Sequence, residues 1–132
     1  MASIRKEIVV KANVEQVWDV MRDIGALHTR LVLGFVVDTK LESGSRIVTF
    51  ANDVVARERI VAIDDKARRL VWSATGDYLA HHNASAQVLE TPDGCARIVW
   101  IADLLPDSAV GAIDQMMEQG MTSMQATLNR LK

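Results

Sequence analysis

The chain has little with which to staple, anchor or charge itself. Its 132 residues include one cysteine, Cys95, which has no partner for an internal disulfide. No apolar run follows the basic residues of the opening Ala2-Ser3-Ile4-Arg5-Lys6, as a secretory leader would require. Both absences set the expectation of a reducing, cytoplasmic location. Nothing approaches the ~18 consecutive apolar residues of a spanning helix, so membrane insertion is not expected. The net charge is −2, with 15 basic and 17 acidic residues intermixed. That leaves no basic field for nucleic acid and no polybasic patch for anionic lipid. A phosphate loop, a dinucleotide fingerprint, a Ser-His-Asp elbow and a Cys-His arrangement are all missing, which argues against phosphoryl and hydride transfer and for no cofactor. Linkers, repeats and low-complexity segments are missing too. The expectation is one domain over residues 1–132, able to bury roughly two thirds of the surface its unfolded form exposes.

What the chain does have is a long one-sided helix at its end, predicted from Asp107 to Leu131. Val110, Ile113, Met117, Met121, Met124, Leu128 and Leu131 fall within roughly 80° of a helical wheel, while Gln115, Glu118, Gln119, Thr122, Asn129 and Arg130 take the other side. Pro106-Asp107-Ser108 is read as its start, with a cap oxygen, and Arg130 and Lys132 face its negative dipole end. A helix with one Met-rich apolar stripe must lie on something apolar.

The preceding chain reads as strands. Ser3 to Lys11 is rich in β-branched residues, with Arg5, Lys6 and Glu7 suited to an edge. Asn13 then caps a short helix carrying Val14, Val17, Trp18 and Met21 at helical spacing, ended or bent at Gly25, with Trp18 plugging the core. From Leu31 the period becomes that of strands. Turn signals recur at Ser43-Gly44, Asn52-Asp53, Asp64-Asp65, Gly76-Asp77 and Pro92-Asp93-Gly94, which separate strands at 31–39, 45–51, 54–63, 68–75, 79–90 and 95–105. This is an α+β pattern: a seven-stranded antiparallel sheet with one face to cover and one long helix to cover it.

Alternation assigns the faces. On the fourth strand Arg57, Arg59 and Val61 face out, which turns Val54, Ala56, Glu58, Ile60 and Ala62 in. An isolated inward carboxylate is costly unless it finds a partner or protonates. On the sixth strand His82, Ala84, Ala86 and Val88 face in, so His82 shares the interior with Glu58. Asp103 shares a face with Arg97, Val99 and Ile101, which leaves the register of that strand open. The inner face is lined by small residues, Ala56, Ala62, Ala74, Ala84 and Ala86, with Gly120 beside the helix stripe. Two readings follow: either a pocket remains, walled by Trp72, Met117 and Met121, or the helix packs closer over the alanines with Gly120 as the contact point.

Ala12-Asn13-Val14-Glu15-Gln16-Val17-Trp18-Asp19-Val20-Met21-Arg22-Asp23, together with Glu58 to Asp65, Arg68-Arg69-Leu70, and Val99-Trp100 through Pro106 before the long helix, resembles the polyketide cyclase/dehydrase-like proteins of the START, or birch-pollen-allergen (SRPBCC), superfamily. The resemblance covers nearly the whole chain. It implies the helix-grip fold, a curved seven-stranded antiparallel sheet around a long C-terminal helix, with a cavity between them for a small hydrophobic molecule. It also places Glu58 where related plant abscisic-acid receptors keep a cavity glutamate. Those receptors close over ligand with an extended loop, whereas Ala51-Asn52-Asp53 here is a tight turn.

The implied function is binding of a lipid-like, aromatic or polyketide molecule by Phe50, Ala56, Glu58, Trp72, Ala74, His82, Ala84, Ala86, Met117, Gly120, Met121 and Met124. The alternative is a cyclase or dehydratase in which Glu58 is the acid or base and His82 takes the complementary role. A third reading is a module whose groove holds a protein partner. The neighbours His81 and His82 point to opposite faces, so no metal is expected. His28 is read as a loop residue at the cavity entrance. Branched apolar residues on the outer faces of the edge strands leave room for a homodimer.

Overall fold

The computed structural model describes residues 2–76 and 79–131. The expected turn residue Asp77 and the terminal Lys132 therefore lie outside the described residues. Seven strands run β1 (Ala2–Val10), β2 (Val36–Glu42), β3 (Ser45–Phe50), β4 (Val55–Asp64), β5 (Arg69–Thr75), β6 (His81–Glu90) and β7 (Ala96–Leu105). They form one antiparallel sheet in the order β1-β7-β6-β5-β4-β3-β2, with β1 and β2 at its edges. Short helices after the first strand carry the chain from one edge to the other, and a long helix, α2 (Val110–Leu128), lies against the inner face. This is the helix-grip architecture.

Local chemistry explains the joints. The first helix, α1 (Val14–Met21), opens on a capping box: Asn13 Oδ1 accepts from the Gln16 N–H at 2.9 Å, and Gln16 Oε1 accepts from the Asn13 N–H at 3.2 Å. Trp18 is buried, and its Nε1–H also reaches out to Asp65 in the β4–β5 turn, 2.9 Å away. Gly44 and Gly94 take positive φ, +72° and +83°, in the β2–β3 and β6–β7 turns, where a side chain would be strained.

Three local expectations are corrected. Leu27–Leu31 is a π-helical turn, closed by Val32 N–H to the Leu27 carbonyl at 2.8 Å, so the strand expected from Leu31 begins only at Val36. Leu27 and Leu31 are both buried; one wide turn sends them into the core together. On β4 a bulge at Val61 shifts the pairing from Ile60↔Trp72 to Ala62↔Val71 and turns Ala62 out to solvent. Finally, α2 starts through a 3-10 turn at Asp107–Ala109, without a side-chain cap on its first residue, and ends at Leu128.

The core lies between sheet and helix, with Ile113, Met117, Met121, Met124 and Leu128 buried along α2 and Ile98 and Leu104 beneath them on β7. The open register of β7 is now fixed: Ile98, Trp100, Ala102 and Leu104 face the helix, and Val99, although on the outer face, is sheltered between its partners Glu7 and Gln87. α2 is also fastened to the edge strand. Lys6 Nζ lies 2.9 Å from both Asp114 and Glu118, which raises its pKa, and the Lys11 N–H donates to Asn129 Oδ1. Among the described residues no helix is long and apolar enough to cross a membrane.

Candidate functional site

Among the described residues the inner face carries one buried ion pair. On β3 the alternation of Arg46, Val48 and Phe50 sends these three inward, and the β3–β4 register sets Arg46 directly opposite Glu58. Arg46 Nε donates to Glu58 Oε1 at 2.8 Å, and both side chains are buried. The guanidinium also donates to the Ile24 carbonyl at 3.3 Å and lies 5.6 Å from the centroid of the Trp72 ring, a cation–π distance. The inward carboxylate is therefore not isolated, and sequence alternation alone did not identify its partner.

One space adjoins this pair and a second lies beyond it. The inner one, about 60 Å³, lies under α2 and is lined by Arg46, Glu58, Trp72, Ala86, Trp100 and Met124, with Phe35, Phe50 and Met116 among its other walls. The outer one, about 710 Å³, is a groove open to solvent between the β3–β4 turn and the first half of α2, lined by Ala51, Asn52, Val54, Ala109, Ala112 and Ile113. Phe35, Phe50 and Met116 belong to both. The two rings meet edge to face, with centroids 5.3 Å apart at 67°. They form a partition of three side chains between groove and cavity.

Of the twelve residues proposed from the sequence, Phe50, Glu58, Trp72, Ala86 and Met124 line the inner cavity. Ala56, Ala84, Met117 and Met121 are buried in the core around it. Gly120 is the contact point between helix and sheet: a Cβ there would come within 2.9 Å of Trp100 Cζ3 and 3.2 Å of Phe35 Cε2. The two sequence readings of the alanine face thus meet halfway, with close packing over most of it and a small void near Arg46. Arg46, Trp100, Phe35 and Met116 were missed; Arg46 had a signal in its alternation with Val48 and Phe50.

His82 sits where β5 and β6 part. Its Nδ1 accepts a hydrogen bond from the Ala74 N–H at 3.0 Å, in place of a backbone carbonyl, and Ser73 Oγ donates to the His82 carbonyl at 2.5 Å. Burial lowers its pKa, with the Glu58 charge opposing the shift. It lines neither space. His81 is exposed on the other face, and His28, whose Nδ1 lies 3.2 Å from Thr39 Oγ1, lines neither space. No three His, Cys, Asp or Glu side chains among the described residues are grouped to hold a metal ion.

Comparison with solved structures gives full-length matches. The protein XoxI from Bacillus cereus superimposes with a TM-score of 0.87 at 18% identity, covering 98% of this chain and 97% of that one. A START superfamily protein from Mycobacterium smegmatis gives 0.75 at 7% identity, over 98% and 99%. Truncated norcoclaurine synthase from Thalictrum flavum gives 0.73 at 15% identity, over 99% and 95%. At such identities the likeness is one of fold. A comparison with curated proteins finds no significant match. The family model described as "Polyketide cyclase / dehydrase and lipid transport" matches residues 1–132, the whole of the sequence, and the chain belongs to that family.

Proposed function

We propose that the protein is a single ligand-binding domain that holds a small hydrophobic molecule, lipid-like, aromatic or polyketide, between the sheet and α2. The observation that carries this reading is the shared partition. A solvent-open groove of about 710 Å³ and an inner cavity of about 60 Å³ have Phe35, Phe50 and Met116 in common, so these three side chains control passage between them. The groove alone is within the ~300–1,000 Å³ range of small-molecule sites, whereas the inner cavity alone is far below it. The ligand's body therefore occupies the groove and its tip passes the partition.

The Arg46–Glu58 pairing supports binding over acid–base catalysis. Glu58 Oε1 is committed to a guanidinium, and His82 makes a fixed backbone contact outside the cavity. A cyclase or dehydratase needs a group free to exchange a proton with substrate.

Two measurements test the reading. Native mass spectrometry of the purified protein is expected to show a small molecule that is lost on denaturation. Titration with ethylnaphthalene is expected to shift the methyl NMR signals of Met116 and Met124. No retained mass together with unmoved methyl signals at the solubility limit of the probe would reject the reading.

A further inference from the structure

The buried ion pair is only half made. A guanidinium can hold a carboxylate with two parallel arms, and on the surface Arg22 does so, with Nε and Nη2 donating to Asp65 Oδ1 and Oδ2 at 2.8 and 3.5 Å. Arg46 and Glu58 make only the first arm, Nε to Oε1, while Arg46 Nη1 donates to the Ile24 carbonyl. Arg46 Nη2 and Glu58 Oε2 bond to nothing among the described residues. Neither atom is sealed in, however: of the described residues that are not exposed, only Trp100 has a fully enclosed side-chain nitrogen or oxygen without a partner. Nη2 and Oε2 therefore keep accessible surface, and the space that both residues line is the inner cavity. Because Nε–H and one Nη2–H of the planar fork point the same way, the unmade arm leaves an open donor and an open acceptor on one edge of the pair.

From this we infer that the inner end of the ligand is the hydroxyl of a neutral alcohol, which accepts from Arg46 Nη2–H and donates to Glu58 Oε2. The inference rests on the proposed binding function and names the chemistry of the ligand's inner end. A hydroxyl does both on one atom, whereas a ketone or ether only accepts and would turn its lone pairs toward the carboxylate. Charge selects the neutral group: Arg46 and Glu58 cancel, so a ligand carboxylate would bring a second anion beside Glu58 to share one cation. Size agrees. At about 60 Å³ the cavity holds roughly two water-sized groups, room for an oxygen and the carbon bearing it, whereas a ring must stay on the groove side of Phe35 and Phe50. Arg46 and Glu58 are then specificity-determining residues.

The test compares three probes of one skeleton in titrations followed by NMR: methyl naphthyl carbinol, which donates and accepts, methyl naphthyl ketone, which only accepts, and ethylnaphthalene, which does neither. In the wild type the carbinol is expected to bind about tenfold more tightly than ethylnaphthalene, the gain from hydrogen bonds to charged partners, and more tightly than the ketone. It should also move the signal of the Glu58 carboxyl carbon, which ethylnaphthalene leaves in place. Glu58→Gln keeps an oxygen for Arg46 Nε but puts an amide donor where Oε2 was, so there the ketone should bind more tightly than the carbinol. A carbinol that binds no better than ethylnaphthalene, a Glu58 signal unmoved by the carbinol, or a carbinol preference that survives in Glu58→Gln would each overturn the inference, leaving an ordered water between Arg46 and Glu58. Because the affinities and the carboxyl signal are read in the wild type, the test does not depend on the variant folding. If the three probes bind alike, only the hydroxyl assignment fails; if none binds, the binding function fails with it.

Discussion

Arg46 and Glu58 face each other as register partners across β3 and β4, with Nε 2.8 Å from Oε1 and side chains 3% and 11% exposed. The carboxylate that alternation turns toward the helix is therefore one half of a neutral pair. The other half is held in place by the Ile24 carbonyl and the Trp72 face. Burying such a pair gains little net stability, because desolvation of both ions offsets their attraction, but removing one partner strands the other. The pair therefore defines the polar corner of an otherwise apolar space.

This makes the pair a stability device that can be tested without a ligand. Arg46→Met leaves Glu58 buried without its cation and is expected to cost about 3–5 kcal/mol in urea unfolding. The double variant Arg46→Met with Glu58→Leu, which replaces both ions by apolar groups, should recover most of that loss. A single variant within about 1 kcal/mol of wild type, or a double variant as weak as the single, would show that the two charges are not coupled.

How much of this was legible depends on how local the signal is. The meander was legible because its turns carry their own chemistry, as at Gly44 and Gly94 with positive φ. The inward phase of Glu58 was legible because two arginines flank it. Its partner lies 12 residues away, and only the pairing of β3 with β4 brings them together. The bulge at Val61 has no glycine or proline to mark it, so alternation carried one step too far placed Ala62 inside. Leu27 and Leu31 stand four apart in a wide turn whose hydrogen bonds, not its sequence, distinguish it from a strand. Cavity size was least legible of all. It depends on how closely α2 approaches the sheet, which is decided by Gly120 of α2, Trp100 of β7 and Phe35 of the turn before β2 meeting at one point.

His82 should make stability depend on pH. Burial lowers its folded pKa below the ordinary value near 6.5, against the opposing pull of Glu58 and Asp103 and with the help of His81. Protonation of Nδ1 would also break the Ala74 N–H contact. The unfolded chain then takes up the proton first as pH falls. The His82 contribution is complete above about pH 6.5 and is lost as pH falls through that value toward the folded pKa. In His82→Gln, whose amide oxygen can still accept from Ala74, the drop in unfolding midpoint between neutral and mildly acid pH should be smaller than in the wild type. Parallel pH profiles for the two proteins, or an NMR titration of His82 at or above the ordinary value, would contradict the assignment.

The two glycines of α2 should respond to alanine in opposite directions. Gly111 is exposed, and a Cβ there meets nothing within 4 Å, so Gly111→Ala is expected to stabilise by a few tenths to about 1 kcal/mol through helix propensity alone. The same propensity acts at Gly120, but there the added carbon lies 2.9 Å and 3.3 Å from two atoms of the Trp100 ring and 3.2 Å from Phe35. Overpacking of this kind costs roughly 1–3 kcal/mol, which outweighs the helical gain, so Gly120→Ala should be destabilised by about 1 kcal/mol in the same urea assay. A Gly120→Ala protein as stable as Gly111→Ala would show that α2 is free to move away from the sheet. The direction of the clash also changes what a larger side chain would do. Gly120 faces the indole and the partition ring rather than the void, so Gly120→Leu displaces the wall of the cavity instead of filling it.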